Sequence, residues 1–208
     1  DLAAHVARRL DCLAEDAPAL MLALSGGRDS VVLLELLRPL CAVRGIRLAA
    51  AHVHHGLSSH ADAWAAFCEA LCRRHAIALA TVRVRVERSA STSIEAAARD
   101  ARYRALASMA RDAGIATVVL AQHADDQAET VLLQLVRGAG PRGLAAMPER
   151  RIADGVTWLR PLLAIPRAAI DAYAAAHSTA FVDDDSNASR RFRRNALRQD
   201  VIPAIREI

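Results

Sequence analysis

The chain contains no lysine, so all 27 of its basic residues are arginine. This absence excludes a Schiff-base lysine, a lysine nucleophile and the lysine of a Walker-type phosphate loop. Aromatic residues make up only 3% of the 208 residues, whereas 53% are hydrophobic, so the core must be mainly aliphatic. Lysine-dependent chemistry by the protein itself is therefore ruled out.

Cysteine is scarce and is not arranged for metal binding. The four cysteines, Cys12, Cys41, Cys68 and Cys72, form no CxxC pair and no zinc pattern with histidine. Cys68 and Cys72 are four residues apart, which places them on one face of a helix and favours a core position. We find no signal peptide and no membrane-spanning run, and we expect a cytoplasmic protein.

Apolar runs alternate with helical patterns along the chain. The runs typical of buried strands are 19–24, 46–53, 78–86 and 117–121, with a weaker one at 180–182. The helical patterns cover roughly 2–15, 30–44, 60–75, 92–113, 125–137, 166–177 and 190–206. This alternation predicts an α/β fold, a doubly wound parallel sheet of about five strands with a helical C-terminal extension.

Polar clusters follow three of the predicted strands. Residues 25–30 follow the first run, a histidine-rich segment at 52–56 ends the second, and residues 122–126 follow the fourth. The carboxyl ends of the strands in a doubly wound sheet surround the crevice where ligands bind. We therefore expect these clusters to form one site.

The segment Ser25-Gly26-Gly27-Arg28-Asp29-Ser30 is suited to binding an anion. Adjacent glycines permit a sharp turn and allow backbone N–H groups to approach a phosphate closely. The helix that follows points its N-terminal amides and its dipole at the same place. A carboxylate beside a polyphosphate requires a cation, so Asp29 either binds Mg²⁺ or caps the helix.

This segment resembles the phosphate-binding loop of the PP-loop ATP pyrophosphatases, which cleave ATP between its α and β phosphates and transfer AMP. The resemblance implies a Rossmann-like PP-loop ATPase fold and the use of ATP and Mg²⁺. The residues it implies for nucleotide binding are Ser25, Gly26, Gly27, Arg28, Asp29, Ser30 and His52.

Further motifs, spread over about residues 20–205, together resemble the tRNA(Ile)-lysidine synthases. They are 52–57 (HVHHGL), 95–103 (EAAARDARY), 123–130 with 137–147, 160–163 (RPLL), 184–187 (DDSN) and 194–198 (RNALR). The resemblance implies that ATP adenylates the wobble cytidine of an isoleucine tRNA with a CAU anticodon. Free L-lysine then replaces AMP at C2 to form lysidine.

The resemblance also implies roles for particular residues. Asp29, His123 and Arg194 are the expected catalytic residues. The expected substrate-binding residues are Glu95, Arg99, Arg102, Asp125, Asp126, Arg137 and Arg198. For Gln127 and Glu129 we expect no more than a place in the first turns of a helix.

Several of these residues also have ordinary structural interpretations. Glu95 and Arg99 form an i,i+4 pair that stabilises an isolated helix by ~0.3 kcal/mol. His123 suits a general acid–base or a structural role, and the arginines of 190–206 suit RNA binding or a solvated helix face.

At the level of the whole chain, we expect a PP-loop nucleotide-binding catalytic domain over residues 1–208. Its basic helical segment, about 185–208, is expected to lead to further C-terminal domains. The alternative functions are a PP-loop tRNA thiolase and a non-catalytic ATP-binding module.

Overall fold

The structure is a computed structural model that describes residues 1–14, 16–56, 58–85, 94–183 and 193–207. The side chains of Ile94, Glu95, Arg193 and Arg206 also lie outside this description. The motif at 184–187 and the substrate-binding role predicted for Glu95 therefore fall outside the described residues.

Helices and strands alternate along most of the described chain. The helices are α1 (Leu2–Leu13), α2 (Arg28–Arg44), α3 (Ala61–Arg74), α4 (Ile94–Asp112), α5 (Ala124–Val136), α6 (Pro141–Leu144), α7 (Arg167–Ala176), α8 (Arg193–Ala196) and α9 (Ile202–Arg206). A π-helical turn, Leu197–Val201, joins α8 to α9, and we call residues 193–206 the C-terminal segment. The strands are β1 (Ala19–Ala23), β2 (Arg47–His54), β3 (Ala78–Arg83), β4 (Thr117–Val119), β5 (Arg150–Ala153) and β6 (Val156–Leu159).

The strands form one sheet in the order β3-β2-β1-β4-β6-β5. All neighbouring strands are parallel except β5, which runs antiparallel to β6 at one edge. The chain leaves β1 on one side towards β2 and returns on the other side as β4. This reversal creates a switch point at the carboxyl ends of β1 and β4, where doubly wound sheets bind ligands.

Helices cover both faces of the sheet. On one face, a core that includes Leu20, Leu22, Leu34 and Cys68 joins the sheet to α1, α2, α3 and α7. On the other face, α4 packs Leu106, Ala107 and Ala110 against Met21, Val118 and Trp158. The predicted doubly wound α/β fold and the mainly aliphatic core are confirmed, and Cys68 and Cys72 are both buried.

The predicted strand at 180–182 is wrong. These residues have no regular structure, and Val182 N donates instead to the Gly26 carbonyl at 3.0 Å. The β5–β6 hairpin was not predicted. Its turn places Asp154 and Gly155 at φ 56° and 75°, a backbone conformation that an Asp-Gly pair favours in a two-residue hairpin.

The predicted helices are confirmed to within a few residues wherever the structure describes them. The main difference is at the C-terminal segment, where the π-helical turn interrupts the predicted continuous helix. Among the described residues, no helix has both the length and the apolarity needed to cross a membrane.

Candidate active site

The Ser25–Ser30 loop joins β1 to α2, which begins at Arg28. Gly26 has a φ of +87°, and a Cβ there would lie 3.0 Å from Val182 Cγ2 and 3.2 Å from Cys68 Sγ, so both conformation and space require glycine. Ser30 Oγ donates to the Gly27 carbonyl at 2.9 Å and lies 3.1 Å from Ser25 Oγ. The loop therefore presents the N-terminal amides of α2 at the strand edge, where an anion is favoured.

His52 holds the end of β1 from the neighbouring strand. Its Nδ1–H donates to the Leu24 carbonyl at 2.9 Å, and Cys68 Sγ lies 3.5 Å from the same nitrogen. Burial lowers the pKa of His52, which favours the neutral ring. His52 thus supports the loop through its bond to the Leu24 carbonyl. Its contact with nucleotide stays a prediction.

Arg28, the first residue of α2, is directed towards α7. Its guanidinium pairs with Asp171, and its Cζ lies 4.8 Å from the centre of the Phe181 ring. Arg28 was predicted to bind nucleotide, and in this structure its charge is engaged by α7.

His123 lies immediately before α5 and is only 2% exposed. Its Nε2 is 3.6 Å from Asp29 Oδ2 and 3.5 Å from Asp126 Oδ2, and its Nδ1 is 3.8 Å from Asp125 Oδ2. Burial by itself lowers the pKa of His123, but Asp29, Asp126 and Asp125 outweigh burial and raise that pKa above its usual value. The structure therefore joins the two loops predicted to carry catalysis and favours an imidazolium between them.

Asp29 has the opposite balance of effects. Burial acts to raise its pKa, but His123, followed by the charges of Arg167 and Arg28, lowers the pKa below the usual value. Its Oδ1 is buried and has no hydrogen-bond partner among the described residues. An ionised carboxylate with a free oxygen beside an anion-binding loop fits one ligand position of Mg²⁺.

Asp125 and Asp126 also stabilise the ends of helices. Asp125 Oδ2 accepts a hydrogen bond from the backbone N–H of Arg167, the first residue of α7, at 2.8 Å. Asp126 Oδ2 accepts from the His123 N–H at 3.1 Å, which caps α5. Among the described residues, no three His, Cys, Asp or Glu side chains are grouped so that they alone can hold a metal ion.

Glu129 has a role that the sequence did not indicate. It is fully buried on α5, where its Oε1 accepts from Arg198 Nε at 2.7 Å and its Oε2 lies 3.5 Å from Arg194 Nη1. Arg194 Nη2 also donates to Thr130 Oγ1 at 3.2 Å. Two arginines predicted to act on substrate are thus anchored on α5, and Arg198 Nη2 also lies 3.8 Å from Asp126 Oδ1.

Gln127 was likewise expected to have no role beyond the start of the helix. Its side-chain amide donates to the Met147 carbonyl at 2.9 Å and accepts from the Met147 N–H at 3.0 Å. This two-way bond fixes the chain after α6 to α5. Neither Gln127 nor Glu129 could be assigned from helical periodicity, because their partners lie 20 and 69 residues away in sequence.

The remaining predicted arginines lie at different distances from the acidic group around His123. Arg102 is open to solvent on α4, and the charges of Arg99, Arg194 and Asp126 act on it. Arg137 follows the 13-residue helix α5 and lies about 20 Å along its axis from His123, at 1.5 Å per residue. The structure brings Arg102 towards the site but does not bring Arg137 there.

A cavity of about 360 Å³ lies elsewhere, between α2, α3 and α7. It is lined by residues that include Glu35, Phe67, His75 and Tyr173, and neither Asp29 nor His123 lines it. The chemistry-bearing residues therefore lie in the open crevice at the strand edge and not in this cavity.

Comparison with solved structures supports the fold. The chain superposes with a TM-score of 0.81 on the U34-tRNA thiolase NcsA from Methanococcus maripaludis, at 17% identity, over 99% of this chain and 72% of that one. An NH3-dependent NAD synthetase from Campylobacter jejuni gives a TM-score of 0.54 at 14% identity, over 100% and 84% of the two chains. At these identities the likeness concerns the fold alone.

Curated relatives are much more similar in sequence. The tRNA(Ile)-lysidine synthase of Chromobacterium violaceum is 51% identical over 87% of this chain and 41% of its own length. The enzyme of the same name from Pseudomonas aeruginosa is 48% identical over 95% of this chain and 45% of its own length. The chain thus spans less than half the length of these relatives. The PP-loop domain family matches residues 2–205, and the chain belongs to that family.

Proposed function

We propose that this chain is the nucleotide-binding catalytic domain of a tRNA(Ile)-lysidine synthase acting in the cytoplasm. The proposed reaction joins free L-lysine to C2 of the wobble cytidine in an isoleucine tRNA with a CAU anticodon. The observation that carries the proposal is the juxtaposition of the Ser25–Ser30 loop and the Asp29–His123 pair at one strand edge. Arg194 pairs with Glu129 on the helix that follows His123. Similarity to the lysidine synthases over most of the chain supports this reaction over the others of PP-loop proteins.

In the first step, the cytosine O2 attacks the α-phosphorus of ATP and pyrophosphate leaves. The proposed binding groups for pyrophosphate are the N-terminal amides of α2 and the hydroxyls of Ser25 and Ser30. Negative charge increases on the α-phosphate as the new P–O bond forms. An imidazolium at His123 and the guanidinium of Arg194 are the proposed groups that stabilise this charge.

In the second step, the ε-amine of lysine attacks C2 of the adenylated base. The C2–O bond breaks, its oxygen leaves on AMP, and the amine loses a proton. Asp126, Asp125 and Glu95 are the candidates for binding lysine, and Arg99, Arg102, Arg137 and Arg198 are candidates for contacting RNA phosphates. Asp125 Oδ2 and Asp126 Oδ2 each accept a backbone hydrogen bond, so contacts with lysine are proposed in addition to these.

Asp29 is the proposed protein ligand for Mg²⁺. When bound, Mg²⁺ would neutralise the charge of the polyphosphate. Asp29 suits this role because it favours the ionised form and its Oδ1 is unengaged by the described residues.

A tRNA thiolase is the nearest alternative reaction. Thiolase chemistry commonly uses cysteine thiolates to bind a cluster or to carry sulfur. Burial raises the pKa of Cys68 to about 12 and the pKa of Cys72 to about 11, and both side chains are inside the core. These cysteines are therefore poorly suited to thiolate chemistry, and lysidine formation is favoured.

The proposal is tested by incubating the protein with ATP, Mg²⁺, labelled lysine and isoleucine tRNA, and measuring pyrophosphate release and lysine incorporation. We expect pyrophosphate release and lysine incorporation with isoleucine tRNA. Asp29→Asn should lower the rate at least about 100-fold, because it removes the proposed carboxylate ligand of the Mg²⁺ that neutralises the reacting phosphates. Asp11→Asn, a matched change on the exposed face of α1, should have no effect.

Two results would contradict the proposal. Binding of ATP without any RNA-dependent release of pyrophosphate would indicate a non-catalytic module. Normal lysine incorporation by Asp29→Asn would remove Asp29 from the mechanism.

A further inference from the structure

A hydrogen-bond network links α4 to the ends of β4 and β6. Arg160 follows β6 and is only 3% exposed. Its Nε donates to Gln122 Oε1 at 2.5 Å, its Nη1 donates to the Pro148 carbonyl at 2.8 Å and its Nη2 donates to Tyr103 Oη at 3.3 Å. These three acceptors are uncharged, so the network carries a net positive charge.

The network has a fixed direction because arginine can only donate. Arg160 Nε must face an oxygen, which sets the amide of Gln122 with Oε1 towards Arg160 and Nε2 towards Tyr103. Gln122 Nε2 then donates to Tyr103 Oη at 3.4 Å. The tyrosine oxygen accordingly accepts from two donors, and its own O–H is left to donate elsewhere.

No acceptor for this O–H is found among the described residues. Burial acts to raise the pKa of Tyr103, but the charge and hydrogen bond of Arg160, the bond from Gln122 and the charge of Arg102 together lower it. A phenol in this setting is a stronger hydrogen-bond donor than an ordinary tyrosine.

The position of the hydroxyl indicates which substrate it meets. His123 and Gln122 are adjacent in the chain, and their side chains contact opposite sides of the strand edge. His123 reaches Asp29 on the α2 side, where the pyrophosphate would lie, and Gln122 reaches Tyr103 on the α4 side. In phosphoryl transfer the attacking and leaving groups are roughly in line, so the attacking nucleotide enters from the α4 side.

The charges around Tyr103 suit a polynucleotide. Arg102 Cζ lies 6.0 Å from the Tyr103 ring, and Arg99 and Arg194 are the like charges that act on Arg102. Arginine guanidiniums bind phosphate oxygens well.

We propose that the Arg160–Gln122–Tyr103 network presents the Tyr103 hydroxyl as a hydrogen-bond donor to an oxygen of the RNA nucleotide that attacks ATP. Tyr103 is then a substrate-binding residue, and Gln122 and Arg160 are positioning residues. The inference rests on the proposed function, in which an RNA nucleotide accepts AMP from ATP.

Two substitutions test the proposal. Tyr103→Phe removes only the hydroxyl and keeps the ring beside Trp158, whose ring centre is 4.8 Å away. Gln122→Glu keeps an acceptor for Arg160 but replaces the donor by an oxygen, which captures the Tyr103 O–H within the protein. Tyr173→Phe on α7, where the ring stacks on His177, is the matched control.

We expect Tyr103→Phe to lower kcat/KM for RNA by about 10-fold or more, while KM for ATP changes less than about twofold. Gln122→Glu should lower kcat/KM for RNA to a similar extent. We expect its thermal unfolding midpoint to equal or exceed that of the wild type. If the network had only a structural role, the Gln122→Glu variant would keep its activity. The Kd for isoleucine tRNA, measured by fluorescence anisotropy, should rise in both variants and stay unchanged in Tyr173→Phe.

The inference is overturned if Tyr103→Phe keeps wild-type Kd and kcat/KM for RNA, or if Gln122→Glu retains full activity. A loss confined to ATP affinity would assign the hydroxyl to ATP and also overturn it. If the wild-type protein forms no pyrophosphate with RNA, the proposed function fails, while the RNA-binding comparison still decides the role of Tyr103.

Discussion

Among single residues, His123 sets the charge balance of the candidate site. It is buried among three carboxylates, which lie 3.5 to 3.8 Å from its ring nitrogens. These carboxylates outweigh burial and raise the pKa of His123, so the site favours the imidazolium. His123 and Asp29 therefore form a coupled pair in which each stabilises the charged form of the other.

Because its pKa is raised, His123 should titrate above the ordinary value of about 6.5. Protonation of His123 then contributes fully to the free energy of unfolding below pH ~6.5. This contribution is lost as the pH rises through the pKa of His123 in the folded state. The measurement is an NMR pH titration of the His123 ring protons. Asp29→Asn should lower the His123 pKa, whereas Asp11→Asn should leave it unchanged. A midpoint below 6.5 in the wild type would contradict the coupling.

Among the secondary-structure elements, α5 connects most of the site. Its first turn holds His123 and the acidic pair, Gln127 binds the chain after α6, and Glu129 anchors the C-terminal segment. The strand-end position of this block was predictable because a buried apolar run precedes it. The anchoring role of Glu129 was not, because a buried carboxylate on a helix can be recognised only once its distant arginine partners are known.

Glu129→Ala should destabilise the docking of the C-terminal segment, because Arg194 and Arg198 lose their shared carboxylate. We expect a loss of about 1–3 kcal/mol in the free energy of unfolding, less than for fully buried pairs because both arginines are partly exposed. Urea denaturation measures the loss, and limited trypsin digestion with mass spectrometry should show faster cleavage within 193–206. Glu69→Ala on the exposed face of α3 serves as the control. Unchanged cleavage in Glu129→Ala would show that other contacts hold the segment.

In the molecule as a whole, the site depends on both faces of one sheet. The α2 face carries the phosphate-binding loop, and the α4 face carries Tyr103 and Arg102. The alternation of apolar runs and helices predicted this architecture, and the polar residues that follow β1 and β4 predicted where the site lies.

The 180–182 run was misleading because its apolar side chains pack beside the Gly26 loop rather than in a strand. The β5–β6 hairpin had a usable signal in Asp154-Gly155, but both flanking strands are only four residues long and β5 begins with two arginines.

Because both cores share the sheet, damage to either should weaken the same cooperative transition. Leu34→Ala on α2 and Leu106→Ala on α4 remove side chains that are 0% and 1% exposed, and each should cost about 2–5 kcal/mol. Val43→Ala, at a position 87% exposed on α2, should change stability by less than ~0.5 kcal/mol. Urea denaturation followed both by circular dichroism and by the fluorescence of buried Trp158, in a Trp64→Phe background that removes the second tryptophan, should give one coincident transition for every variant. If Leu106→Ala shifted the fluorescence transition alone, the α4 face would unfold separately, and a site built across the two faces would lose its physical basis.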